Sequence, residues 1–219
     1  MARRPCRAPM GAMIVVLLAV AAGPSHAAGN EADAVLWSQD DDDSFTGLTS
    51  QNFESSFDAY DCQAADDFVV PRGEVWAVRK VRARGFYGGV GGPADSENVV
   101  FYRSAGGVPA EEVASFMAVV GVEEGGEGSG MFLVALPETL KLKAGRYWLS
   151  VQVNMDYNTN GAWSWEWRTS QNGKPAVWKN PGDGFDTGCT NYRPEAECVD
   201  FRGGPDHMFE LLGSRKAGR

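Results

Sequence analysis

The chain has 219 residues, 20 of them basic and 29 acidic, for a formal net charge of −9, with 43% hydrophobic and 11% aromatic residues. That apolar content excludes a disordered chain, and a charged fraction of 22% is too low for a coiled coil. The acidic balance excludes sequence-independent binding of nucleic acid, which needs a basic surface to release counterions, so no nucleic-acid partner is expected.

Residues 1–27 read as a signal peptide. Arg3, Arg4 and Arg7 form a basic start, Met13 to Ala22 is an apolar run, and Ser25-His26-Ala27 places small residues at a cleavage site. The run is shorter than the roughly 20 residues that span a bilayer. Residues 1–27 carry three arginines and no acid, so their removal takes the net charge from −9 to −12. The product is expected to be secreted or periplasmic, with no membrane anchor after cleavage. Residues 28–34 form a short extension, 35–213 a single domain, and 214–219 a polar tail.

In the domain, period-2 alternation recurs and helical periodicity is scarce. The expected strands, in chain order, are 35–38, 64–70, 75–87, 98–103, 113–122, 131–136, 146–155, 162–169, 176–178 and 207–212. Turn sequences separate them, such as Pro71-Arg72-Gly73, Gly88 to Pro93, Gly125 to Gly130 and Asn158 to Gly161. Asp40 to Asp43, with Ser44 and Thr46, reads as an acidic loop. Asn52 to Tyr60 is the one stretch with the makings of a helical turn. The 75–87 run is long enough to bend at Gly85 or at a bulge. Asn180 to Gly204, rich in glycine and proline, reads as an ordered surface loop. About nine or ten short strands with these turns predict an all-β fold, a single antiparallel β-sandwich of jelly-roll-like form.

Cys6 leaves with the signal, so Cys62, Cys189 and Cys198 remain. In an oxidising compartment, Cys189 and Cys198 enclose a loop too polar to hold itself by burial, which predicts a disulfide. Three cysteines without neighbouring histidines make a poor zinc set. Cys62 is left as a buried small hydrophobe or an accessible thiol. His207 is the only histidine past residue 27, and its place at the start of a final strand reads as structural. No G-x-S-x-G elbow, H-E-x-x-H helix or phosphate-binding loop occurs.

Two groups of residues could carry function. Trp163, Trp165 and Trp167 lie at alternate positions of one strand and share a face. Facing outward they would form a row on which sugars stack, or a protein interface. Facing inward they would fill the core, leaving Glu166 and Arg168 toward solvent. The second group is acidic: Asp40, Asp41, Asp42 and Asp43, then Asp58, Asp61, Asp66 and Asp67. Such loops at a sandwich edge supply the hard oxygens calcium takes, which makes calcium the candidate cofactor, although a solvated acidic run has the same composition. Asp66 and Asp67 point to opposite faces, with one of them binding backbone amides.

The run Gln63-Ala64-Ala65-Asp66-Asp67-Phe68, the segment Val100-Phe101-Tyr102-Arg103 with Gly106-Gly107-Val108-Pro109, and the strand Leu142-Lys143-Ala144-Gly145-Arg146-Tyr147-Trp148-Leu149-Ser150-Val151 occur in that order, followed by a closing Pro205-Asp206-His207-Met208-Phe209-Glu210-Leu211-Leu212-Gly213. Together they resemble a largely uncharacterised family of bacterial secreted β-sandwich domains. The resemblance spans about residues 35–213 and implies a jelly-roll-like, exported sandwich, and it brings no catalytic residues. The sequence therefore predicts a secreted non-catalytic binding or structural module, with a polysaccharide or cell-surface glycan as candidate partner. The alternative is a secreted glycan-active hydrolase using paired Asp/Glu chemistry.

Overall fold

The computed structural model describes residues 32–88, 91–200 and 204–218, except for the side chains of Asp43 and Phe45. In chain order the elements are β1 (Ala34–Ser38), β2 (Asp43–Thr49), β3 (Gln51–Asn52), a 3-10 helix (Ser55–Tyr60), β4 (Gln63–Ala83), β5 (Gly85–Gly88) and β6 (Ser96–Ala105). There follow β7 (Val108–Val119), β8 (Val122–Glu124), β9 (Met131–Asn154), the single turn α1 (Tyr157–Asn160), β10 (Ala162–Arg168) and β11 (Val177–Lys179). The chain ends with β12 (Arg193–Pro194), the single turn α2 (Glu195–Cys198), β13 (Asp206–His207) and β14 (Phe209–Ala217). The fold is an all-β sandwich. Among the described residues no helix is long and apolar enough to cross a membrane.

The larger sheet runs β1-β14-β4-β9-β6-β7, with β11 on β4, β12 on β11, and β3 and β8 on β9. The smaller sheet runs β13-β10-β2, with β5 also on β10. All pairings are antiparallel except the two-residue pairing of β3 with β9. The runs 64–70 and 75–83 prove to be one strand interrupted at Pro71-Arg72-Gly73. Its register against β9 jumps between Val70 and Val75, and Gly73 takes a φ of 81°. Proline has no N–H to place in a ladder, so an irregular step is where it fits.

The chain passes repeatedly between the sheets, and two of these crossings lie side by side: one at Arg84, where β4 gives way to β5 at the Gly85 bend the sequence suggests, and one at Met208, between β13 and β14. The two crossings are tied together, because Arg84 N–H donates to the Met208 carbonyl at 3.1 Å. Strands that switch sheets in this way form the corners of a sandwich.

Between the sheets the core is aromatic. The Phe68 ring meets Trp76, Phe101, Tyr147 and Phe209 at centroid distances of 5.8–6.5 Å. Trp163 and Trp165 enter from β10, meeting Phe132 at 5.8 Å and Phe209 at 6.1 Å.

Three local expectations are corrected. Residues 43–49 form β2 rather than a loop, since they pair with β10 from Thr49–Ser164 to Asp43–Arg168. Residues 214–217 are not a tail, because they continue β14 against 74–77 of β4. Glu166 and Arg168 do not face open solvent: both are buried, Glu166 beside Arg84 at 3.0 Å and Arg168 beside Asp41 at 2.8 Å.

Candidate functional site: an aromatic groove at one end of the sandwich

At one end of the smaller sheet, segments distant in sequence form a groove of about 340 Å³ lined by Thr49, Phe53, Phe57, Tyr60, Tyr157, Ala162 and Phe185. Among the described residues the exposed aromatic side chains are Tyr60, Tyr157 and Phe185, at 38%, 49% and 42% exposure, and all three lie on this wall. Exposed apolar rings gathered in one place mark an interaction site more strongly than the same rings scattered singly.

The rings form a continuous chain. Phe53 meets Tyr157 at 6.2 Å, Tyr157 meets Phe57 at 5.8 Å, and Phe57 meets Tyr60 at 5.9 Å. Tyr60 meets Phe185 edge-on at 5.1 Å, and Phe185 meets the buried Trp178 at 5.8 Å. Phe53, Phe57 and Tyr60 stand at spacings of four and three, so a helical turn puts them on one side. The observed turn is a 3-10 helix with a break at Phe57 (φ −121°, ψ 17°). It is closed by Asp61, whose Oδ1 accepts the Phe53 N–H at 2.8 Å.

Each wall is fixed by a buried or bridging polar group. Glu54 accepts the N–H groups of Tyr157 at 2.7 Å and Asn158 at 3.3 Å, and the Asn158 side-chain amide at 2.9 Å. Desolvation opposes ionisation of Glu54, but these donors outweigh it and hold the carboxyl below its ordinary pKa. Asn180, fully buried, donates Nδ2 to the carbonyls of Ala59 at 2.7 Å and Asp61 at 2.9 Å. Its Oδ1 accepts the Phe185 N–H at 3.1 Å. The 180–188 loop lies so close to the 3-10 helix that a Cβ on Gly182 would sit 2.6 Å from Ala59 Cα.

A second cavity of about 330 Å³ adjoins the first, and Thr49 and Phe185 line both. Its other walls include Leu48, Trp178, Thr187 and Cys198. Cys198 is bonded to Cys189, the disulfide the sequence predicts, with the Cα atoms 5.7 Å apart. Cys62 is the buried thiol, and burial pushes its pKa up to about 12, which leaves it unreactive.

The residues singled out from sequence lie elsewhere. Trp163, Trp165 and Trp167 are 0%, 0% and 7% exposed, and their indole N–H groups donate to the Gly130 carbonyl, the Met208 carbonyl and Glu195 Oε2. They present no exposed row for a sugar. The candidate calcium ligands are dispersed: among the described residues no three His, Cys, Asp or Glu side chains converge as a metal site. Asp40 lies 3.6 Å from Arg84, Asp41 pairs with Arg168, and the side chains of Thr169 and Ser170 hydrogen-bond to Asp42. The Asp43 side chain lies outside the described residues. Asp58 is exposed on the 3-10 helix, and Asp61 closes it. Asp40 and Asp41 thus stand beside arginines and Asp61 beside a backbone N–H, and the group does not converge on one point.

Asp66 and Asp67 do point to opposite sides, and both accept backbone amides. Asp67 accepts Lys174 N–H at 2.7 Å and pairs with Arg146. Asp66 accepts the N–H groups of His207 and Asp67 and the Gln39 amide. Beside it, His207 Nε2 lies 2.7 Å from Glu195 Oε1, and the His207 ring stacks on Trp165 at 4.6 Å. Burial and then the charge of Asp206 push the Asp66 carboxyl well up, and burial, with the charge of Glu195, pushes Asp206 to about 6. All four side chains are buried, so the cluster ties the sheet crossing together and offers no surface to a substrate.

No protein-family model and no curated protein matches the chain. Among solved structures, the chain is similar to one covering the cysteine protease and lectin-like domains of a surface layer associated protein of Clostridium difficile. The TM-score is 0.46 at 15% identity, over 72% of this chain and 32% of that one. The chain thus spans about a third of that structure's length.

Proposed function

We propose that this β-sandwich is an exported, non-catalytic binding module for neutral carbohydrate, held in the aromatic groove by stacking of sugar rings on Tyr60, Tyr157 and Phe185. The observation that carries the reading is the convergence of these three exposed rings, from three separate segments, on one concave wall. A pyranose presents an apolar C–H face to such rings and hydroxyls to a polar rim, and small-ligand sites combine these two features. Ser55, Ser56, Asp58 and Asn158, all exposed beside the rings, provide that rim. The net charge, −9 for the whole chain and −12 without residues 1–27, disfavours anionic ligands and leaves neutral glycans favoured.

Export is supported by the Cys189–Cys198 disulfide, which persists in an oxidising compartment, together with the signal-like sequence of residues 1–27, which lie outside the described residues. The ordered motifs support membership of the secreted sandwich family named above. A hydrolase reading finds less support. Glu54 and Asp61 at the groove are engaged by N–H groups, and the Asp66–Asp206 pair is sealed from solvent.

The test is retention of the purified protein on a panel of neutral polysaccharides, with and without calcium, alongside Tyr157→Ala. Retention that Tyr157→Ala abolishes, with an unchanged melt, supports the module. No retention on any polysaccharide overturns it. Capture of an apolar peptide instead makes the groove a protein-docking site, and release of reducing ends makes the protein a hydrolase.

A further inference from the structure

We infer that the groove takes an extended oligosaccharide chain rather than a single terminal sugar, and that Phe185 is the ring over which the chain passes. The inference rests on the carbohydrate reading above and specifies its ligand. Two cavities of nearly equal size, about 340 and 330 Å³, adjoin along Thr49 and Phe185. Each lies at the lower end of the several-hundred Å³ range of small-ligand pockets, so a ligand larger than one or two sugar units must reach from one into the other.

The divide is built for contact from both sides. Phe185 is 42% exposed, with the Tyr60 ring edge-on at 5.1 Å toward the first cavity and Trp178 at 5.8 Å toward the second. It cannot drift far, because Asn180 Oδ1 holds its N–H and Gly184 N–H donates to the Ala59 carbonyl at 2.8 Å. A fixed ring keeps the ordering cost of binding low.

The two compartments differ in chemistry. The first is walled by five aromatic rings and is the gripping site. Apart from the shared Thr49 and Phe185, the second has Trp178 as its one further aromatic, with Leu48, Thr187, the disulfide and Asp200 around it. The first compartment therefore supplies most of the affinity, and the second adds an increment that only longer chains realise. Once a ligand can span both subsites, its contact with the second becomes an intramolecular event, so affinity rises with chain length.

The experiment is calorimetric titration of the full exported protein with gluco-, xylo-, manno- and chito-oligosaccharides of one to six units, repeated with Phe185→Ala and Thr187→Phe. Thr187→Phe fills the second compartment and leaves the first intact. For the sugar that binds, affinity is expected to rise about tenfold or more between two and four units. Thr187→Phe is expected to keep the two-unit affinity and lose that rise, and Phe185→Ala to flatten the length dependence while weakening both. Binding whose affinity is the same from two units to six, or a rise that survives in Thr187→Phe, overturns the extended-chain inference and leaves the module standing. No binding by any sugar at any length overturns the carbohydrate reading itself.

Discussion

Asn180 holds Phe185 in place from beneath the groove: its Oδ1 accepts the Phe185 N–H at 3.1 Å while its Nδ2 donates to the Ala59 and Asp61 carbonyls. One fully buried amide thus fixes the 180–188 loop and the 3-10 helix relative to each other. Asn180→Ala removes three hydrogen bonds and leaves the Asp61 carbonyl without this donor, at a cost of about 1–3 kcal/mol. Urea denaturation checks the stability, and glycan retention should fall with it. A variant that melts and binds like the parent would show that the loop is positioned by something else.

The disulfide closes the wall of the second cavity. Reduction, or the Cys189→Ser/Cys198→Ser double variant, frees a loop of about ten residues, worth on the order of 2–3 kcal/mol in the chain-entropy account. Mass mapping of non-reduced peptides should recover one linked pair containing Cys189 and Cys198, with Cys62 alkylated only after unfolding. Two free thiols at 189 and 198 in the exported protein contradict the pairing.

Trp165→Ala tests the core. The indole is fully buried, donates to the Met208 carbonyl at 2.9 Å, and stacks on His207 at 4.6 Å, next to the crossing between sheets. Truncation removes the ring and its hydrogen bond and leaves a cavity, so a loss of about 3–5 kcal/mol is expected. That is a large share of the roughly 5–15 kcal/mol of a typical domain. An unchanged denaturation midpoint would put the indole on the surface.

The sandwich was legible in the sequence because alternation and turn residues are local signals, and β1, β6 and β10 lie close to their expected places. Strand β2 was hidden for a physical reason. Its residues Asp43 to Thr49 lack an apolar rhythm, and they become a strand only through pairing with β10, more than a hundred residues on. The same distance effect hid the groove. Its rings come from 53–60, 157 and 185, and no short window contains them all. The one available clue was the 53, 57, 60 spacing inside the stretch read as a helical turn. The tryptophan row illustrates the opposite failure: period 2 shows that three indoles share a face and is silent on which face the partner sheet covers.

Stability should fall as pH rises through the weakly acidic range, and Glu97 gives the cleanest reading of it. Its side chain is buried in β6, with Oε2 accepting the Gly121 N–H at 2.6 Å. Burial pushes its pKa from 4.5 to about 7, helped by the charge of Glu123 and opposed by the Gly121 N–H. In the unfolded chain the group ionises near 4.5, so between that pH and about 7 the native state holds a proton the unfolded state has lost. The native state therefore binds more protons, and unfolding free energy declines with pH across that window. The shift corresponds to on the order of 3 kcal/mol. Asp206, raised to about 6, and Asp66 act in the same direction, so the parent slope is their sum. Glu97→Gln keeps an acceptor for Gly121 and removes the titration. Its stability relative to the parent should be lowest below pH 4.5 and grow steadily to about pH 7.5, then level off. Urea titrations of both proteins at pH 4, 5, 6, 7 and 8 measure this difference directly, and a difference that does not change with pH would mean that Glu97 is ionised in the folded protein.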